Sequence, residues 1–219
     1  MTRGAFIAFE GMDGSGKSTV MEKTMFELSG NGYSIRWTAE PTHQGTGKHI
    51  RDRLNAKWPP KGTMSDLAAA AVYTRLFFAD RIEHNALDIQ PNLSKRINIF
   101  TDRSYGSTVA YQSAQGYPIE KLAGEVEWLV GKSMIERPDL MVVLDVSVPT
   151  ALARLAKTGK KPDKFEDPEF LPKLHEAYGN LPKYLPNDRI EFVDAERPLK
   201  EVVVDVCSRI RPLLVKKAA

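Results

Sequence analysis

The sequence predicts an α/β fold: a three-layer structure in which a parallel sheet is covered by helices on both faces. Three observations predict it. A short apolar run without polar alternation, at residues 5–9, reads as a strand buried on both faces, and 140–146 reads as the clearest central strand. Segments of helical period follow them, and strand-like and helix-like segments alternate along the chain. Within its 219 residues there is no internal repeat, low-complexity tract or linker, so residues 1–219 are expected to form one domain.

Each element has its own reason. The run 5–9 enters the glycine-rich stretch 11–16, and a helical pattern extends from about 17 to 29. Asn31-Gly32 breaks that helix, 33–38 reads as a second strand, 47–55 as a short helix and 58–62 as a loop. The longest helical signal runs from 65 to about 87. Ser65 and Asp66 are its candidate caps, and Ala68, Val72, Leu76, Ala79, Ile82 and Ala86 form one apolar stripe. A third strand is expected at 97–101, helices around 107–114 and 119–135, and a central strand at 140–146. A helix to about 157, another over 168–184, a strand at 189–193 and a helix at 199–213 complete the order.

Composition narrows the function classes. Apolar residues make up 42% and charged residues 27%, as in globular proteins. Lys plus Arg is 31 against 28 for Asp plus Glu, too even a balance for a nucleic-acid coat, so no nucleic-acid partner is expected. Cys207 stands alone and cannot form an internal disulfide, which points to a reducing compartment. The first apolar run is too short for a signal peptide, and no run approaches the roughly 20 residues of a membrane span. A cytoplasmic protein with no membrane partner is the expectation.

Gly11-Met12-Asp13-Gly14-Ser15-Gly16-Lys17-Ser18 matches G-x-x-x-x-G-K-[ST] in full, directly after a buried strand and before a helix. Glycines let backbone N–H groups wrap around phosphate oxygens, and the helix adds the positive end of its dipole. Lys17 is expected to reach the transferred phosphate and the Ser18 hydroxyl to ligate Mg²⁺. ATP or GTP handling follows, and the absence of an Asn-Lys-x-Asp motif argues against a guanine-nucleotide switch. Asp102, closing the third strand, is placed to hold Mg²⁺ or its water, and Arg103 offers a fork for a phosphate.

These residues resemble the thymidylate kinase family, nucleoside-monophosphate kinases among the phosphate-loop NTPases, from about Phe6 to Val204. The segment from Phe9 to Thr19 is close to E-G-x-D-G-x-G-K-S-T, and the resemblance implies that Asp13 bonds the acceptor 3′-hydroxyl. Glu40-Pro41-Thr42 with downstream Arg51 resembles the acceptor-phosphate segment. Phe77 and Arg81, four apart on one helical face, match the aromatic that stacks on thymine and the Arg that bonds its carbonyl. By periodicity alone Phe77 would be core. Asp102-Arg103-Ser104-Tyr105-Gly106-Ser107-Thr108-Val109-Ala110-Tyr111-Gln112 resembles D-R-Y-x-x-S-x-x-A-Y-Q. Arg103 would bridge the two phosphates, while Ser107, Thr108 and Tyr111 line the nucleoside pocket, Tyr111 favouring deoxyribose.

The segment 157–168 resembles a short lid, whose four lysines, Lys157, Lys160, Lys161 and Lys164, would neutralise charge on the moving phosphoryl group. Lys164 is carried as the catalytic one; a solvated basic loop is the alternative. Val193-Asp194-Ala195 resembles the loop that packs adenine. The chain departs from the family at Ala39, Ser104, Gly14 and Thr158, where arginine or an aromatic is common. Arg154 is expected to replace Thr158 beside the adenine. The resemblance implies transfer of the γ-phosphoryl of Mg·ATP to dTMP by a homodimer. Two other classes stand beside it: a deoxynucleoside kinase with Glu40 as general base, and a catalytically silent nucleotide-binding regulator.

Overall fold

The computed structural model describes residues 3–60, 62–157 and 167–216. The first half contains β1 (Phe6–Glu10), α1 (Lys17–Ser29), β2 (Ile35–Ala39), α2 (Gly45–Asn55), α3 (Asp66–His84), α4 (Gln90–Ser94) and β3 (Asn98–Asp102). The second contains α5 (Tyr105–Ala114), α6 (Ile119–Gly131), β4 (Leu140–Asp145), α7 (Val148–Ala156), α8 (Leu171–Gly179), α9 (Leu181–Tyr184), β5 (Ile190–Asp194) and α10 (Leu199–Ile210).

The five strands form one parallel sheet in the order β2-β3-β1-β4-β5. Every residue of β1 is buried, which is why its sequence shows no polar alternation. Helix α1 packs against α10, and α5 packs against α3, α6 and α8. In the core between them, the rings of Phe9 and Phe100 lie 5.5 Å apart on neighbouring strands. Truncating a buried aromatic of this kind costs about 3–5 kcal/mol. The register pairs Phe9 with Asp102 and Ala39 with Asp102. Glu10, Glu40 and Arg103 therefore leave the sheet along one carboxyl edge, where open α/β sheets bind ligands.

The α/β class and element order agree with the sequence reading, and several details differ. The helix expected over 65–87 has Ser65 as its N-cap, accepting from the Ala68 N–H at 3.2 Å. It ends at His84 and passes through a π-helical turn, Asn85–Ile89, into α4. Its buried face is Ala69, Ala70, Tyr73, Thr74, Phe78, Asp80, Arg81 and His84, whereas Ala68, Ala79 and Ala86 of the expected stripe are exposed. An apolar stripe is a poor guide there because the helix turns partnered polar groups toward the site. The helix expected over 168–184 is two, α8 and α9, because Pro182 lacks an N–H and takes the first turn of a new helix. Pro212 likewise tightens the last turn into a 3₁₀ helix, Arg211–Leu213. Most of the expected lid, including Lys164, lies outside the described residues.

Candidate active site

The loop between β1 and α1 is built for close approach. Gly14 and Gly16 have φ of +82° and +91°, and a Cβ on Gly14 would lie 2.5 Å from the Ala151 carbonyl oxygen of α7. Only glycine fits there without strain. No side chain caps α1, so its first N–H groups face the loop, the arrangement that binds anions. Ser15 Oγ is buried without a partner among the described residues. Lys17 is buried, donates to the Met12 carbonyl at 3.1 Å, and has Asp13 Oδ1 at 3.6 Å. Burial and then the Arg103 charge lower its pKa, so an anion brought to the loop meets an ammonium in want of a partner.

Ser18 Oγ donates to Asp102 Oδ2 at 2.6 Å, while Asp102 Oδ1 is buried with no partner among the described residues. A hydroxyl and an orphaned carboxylate oxygen beside a phosphate loop fit a hard cation such as Mg²⁺, which takes few protein oxygens.

Arg103 is the hub. Its φ of +74° is rare for a residue with a Cβ and costs of order 1–3 kcal/mol, a kind of strain that gathers at functional sites. From Nη2 it donates to Asp13 Oδ1 at 2.5 Å and to the Tyr111 hydroxyl at 3.1 Å. From Nη1 it reaches the Gly11 carbonyl at 3.2 Å and Ser107 Oγ at 2.9 Å. Tyr111 also donates to Asp13 Oδ2 at 3.0 Å. Burial alone would raise the Asp13 pKa, but Arg103 and Lys17 outweigh it and bring it down to about 2.

Beyond Arg103 lies a cavity lined by Phe77, Arg81, Thr108, Tyr111 and Gln112. Arg81 donates to Glu40 Oε2 from Nε at 2.8 Å and to Thr108 Oγ1 at 3.1 Å, leaving Nη1 buried and unpartnered among the described residues. The amide of Gln112, on the next turn of α5 from Thr108, has neither atom partnered among the described residues. Buried polar groups without partners cost about 1–3 kcal/mol each, so two in one cavity mark where a polar ligand edge belongs. Phe77 is half-buried, with its ring 6.0 Å from that of Tyr73, so it is cavity wall as well as packing.

Glu40 is held on both oxygens, by Arg81 and by His84 Nδ1 at 3.0 Å. His84 Nε2 meets Thr38 Oγ1 at 2.7 Å. Burial pushes the Glu40 pKa up, but Arg81 and His84 reverse the shift and hold it below the ordinary carboxylate range.

The structure thus gathers Lys17, Asp13, Ser18, Asp102, Arg103, Glu40, Arg81, Phe77, Ser107, Thr108 and Tyr111 at one edge of the sheet. Arg51 stands at the border of the cavity, engaged with backbone: its Nε donates to the Thr42 carbonyl at 3.1 Å and its Nη2 to that of Pro41, which lines the cavity. Thr19 and Arg154 lie on the opposite side of the loop, in a pocket shared with Ser15, Gly16 and Ala195. There Arg154 donates to the Ser15 carbonyl at 3.2 Å and the Ala195 carbonyl at 2.8 Å, joining the loop to the segment after β5. Sequence reasoning missed Glu10, Asp80, His84 and the amide of Gln112. Asp80 accepts from the Thr42 N–H at 2.8 Å and from Thr42 Oγ1 at 2.6 Å, tying the chain after β2 to α3. A carboxylate at the end of an apolar strand, Glu10, was the one legible signal among them.

The fold and the place of its phosphate loop put the protein in the phosphate-loop class of nucleotide kinases. Within that class, residues 9–206 match the family described as thymidylate kinase, and the chain belongs to that family. It is similar to the thymidylate kinase of Alkalilimnicola ehrlichii, 37% identical over 206 residues that take in 93% of this chain and 90% of the relative. The probable thymidylate kinase of Pyrobaculum calidifontis is 36% identical over 208 residues, 94% of this chain and 95% of its own. The thymidylate kinase of Methylobacillus flagellatus is 32% identical over 212 residues, 95% and 98% of the two chains.

Proposed function

We infer that the protein transfers the γ-phosphoryl group of ATP to the 5′-phosphate of dTMP, forming dTDP and ADP. The observation that carries this reading is that Arg103 belongs to both halves of the site. It bonds the phosphate loop at Gly11 and lines the cavity that holds Phe77 and Arg81. An oxygen of the dTMP phosphate forms the new bond to the γ-phosphorus, and the bond from that phosphorus to the bridging oxygen of ADP breaks. The attacking oxygen is already anionic at neutral pH, so no strong base is needed. The barrier falls through positioning and charge neutralisation. Lys17 would meet the moving phosphoryl group, and Arg103 would clamp it to the acceptor phosphate.

Ser18 and Asp102 would hold Mg²⁺, which when bound neutralises charge on the phosphate oxygens. Asp13 and Tyr111 would meet the deoxyribose, with Ser107 behind them. The base would stack on Phe77. Its edge, which offers acceptor, donor and acceptor in turn, suits Arg81 Nη1 and the amide of Gln112. On the donor side, Arg154 and the segment at Ala195 would bound the adenine pocket, with Thr19 and the loop glycines beneath it. Arg51 would have to leave the Pro41 and Thr42 carbonyls to bind the acceptor phosphate, and Lys164 would supply the lid cation. A cytoplasmic homodimer completes the reading, to be checked by sedimentation.

The nucleoside-kinase alternative needs Glu40 as a base. A carboxylate held by Arg81 and His84 below its ordinary range is a poor one. The test is coupled ADP release with Mg·ATP against dTMP, dUMP, the ribose monophosphate and thymidine. Turnover with dTMP and none with thymidine is expected; turnover with thymidine alone would overturn the assignment.

A further inference from the structure

Behind Arg103 stand two side chains that the mechanism above leaves without a task. Glu10 closes β1, fully buried, and accepts from the Ser104 N–H at 2.8 Å and from Ser107 Oγ at 2.5 Å. Tyr178, a buried residue of α8, has its hydroxyl 2.9 Å from Ser107 Oγ and 3.3 Å from Arg103 Nη1. Its ring stands edge-on to Tyr111, at 87° with centroids 6.4 Å apart.

A proton inventory sets the direction of these bonds. Ser107 has one hydroxyl proton, and the Glu10 carboxylate takes it. Tyr178 must then donate to Ser107, which leaves the phenol oxygen free to accept from the guanidinium, a group that can only donate. Burial pushes the Tyr178 hydroxyl above the ordinary phenol range, so it keeps the proton this requires. Arg103 Nη1 also donates straight to Ser107 Oγ at 2.9 Å, so the guanidinium reaches Glu10 by two routes, one through Ser107 alone and one through Tyr178 and then Ser107.

We propose that Tyr178 is a positioning residue for phosphoryl transfer. Through Ser107 and Glu10 it fixes the Nη1 side of Arg103, opposing the pull of Asp13 on Nη2, so that the guanidinium keeps the angle at which it meets both phosphates. This rests on the reading of Arg103 as the clamp between donor and acceptor. A clamp of this kind is sensitive to small displacements, since a misplacement of about 1 Å can cost a hundredfold in rate. The hydroxyl acts only through its neighbours and touches no reacting atom.

Tyr178→Phe keeps the ring against Tyr111 and removes only the oxygen. It is expected to lower kcat with dTMP about tenfold while both KM values stay within twofold, the signature of an interaction made in the transition state. Ser107→Ala, which also removes the direct bond from Arg103, should produce a loss at least as large, and the double variant no loss beyond that of Ser107→Ala, because the Tyr178 route passes through Ser107. Tyr105→Phe is the control, since its hydroxyl bonds Asp188 instead. It should lower the melting temperature and leave kcat unchanged. Wild-type kcat in Tyr178→Phe overturns the proposal, as does a loss that follows the melting temperature and is shared by Tyr105→Phe. Additive losses in the double variant overturn it too. Wild-type protein that turns over no dTMP overturns both this proposal and the functional reading beneath it; wild-type turnover with an unaffected Tyr178→Phe overturns this proposal alone.

Discussion

Glu40 and Arg81 form a buried ion pair across the far end of the cavity, with Arg81 Nη2 2.6 Å from Glu40 Oε2 and both side chains less than 5% exposed. The pair joins the residue after β2 to the last turn of α3 and aims the guanidinium at Thr108 and the cavity. Removing one partner of such a pair leaves the other charged and buried. Arg81→Ala is therefore expected to destabilise the protein by about 3–5 kcal/mol, read from urea unfolding, and to raise KM for dTMP. An unchanged urea midpoint would show that Glu40 is satisfied without it.

Lys17 bears a burial cost that its partners only partly offset. Lys17→Met removes the charge and keeps the stem, so kcat should fall by roughly a thousandfold while the melting temperature stays at or above that of the wild type. A matching fall in melting temperature would mean that Lys17 is a structural residue.

Asp102 presents one oxygen to Ser18 and one to no described residue. With Asp102→Asn, the Mg²⁺ concentration for half-maximal turnover should rise roughly tenfold or more. An unshifted Mg²⁺ titration would move the metal elsewhere.

The pKa of Asp13, about 2 in the folded chain, lies below its ordinary 3.8. A depressed carboxylate favours folding above its unfolded pKa and loses that contribution as pH falls through the folded one. The stability gap between wild type and Asp13→Asn should therefore be constant above about pH 4 and close as pH approaches 2. Urea midpoints across pH 2–6 would show it; a gap independent of pH would mean that Arg103 and Lys17 do not hold Asp13 in its charged form.

Much of this was legible in the sequence because local rules govern it. The phosphate loop needs glycine at fixed offsets, Asp102-Arg103 closes an apolar strand, and Phe77 and Arg81 share a helical face. What stayed hidden depends on groups far apart in the chain. Tyr178 is 71 residues from Ser107, and Glu10 is 97 from it. Nothing around Tyr178 distinguishes it from core, and Glu10 shows only as a carboxylate closing an apolar strand, with no sign of its partner. The buried face of α3 was misread for a related reason: Asp80, Arg81 and His84 count as surface residues until Thr42 and Glu40 arrive to pair with them. The Thr42 and Pro41 carbonyls that hold the Arg51 side chain were likewise not legible from its spacing.

The register that sets Asp102 opposite Phe9 and Ala39 has a consequence for how the chain tolerates change. Successive side chains on a strand point to opposite faces, so sliding β3 by one residue would exchange the directions of the Asp102 carboxylate and its neighbours. The sheet's hydrogen bonds thus serve as the ruler against which the chemistry is aligned. A single residue inserted within 98–102 would silence the enzyme even if it still folded. The same insertion at 62–64, among exposed turn residues, would be absorbed without loss.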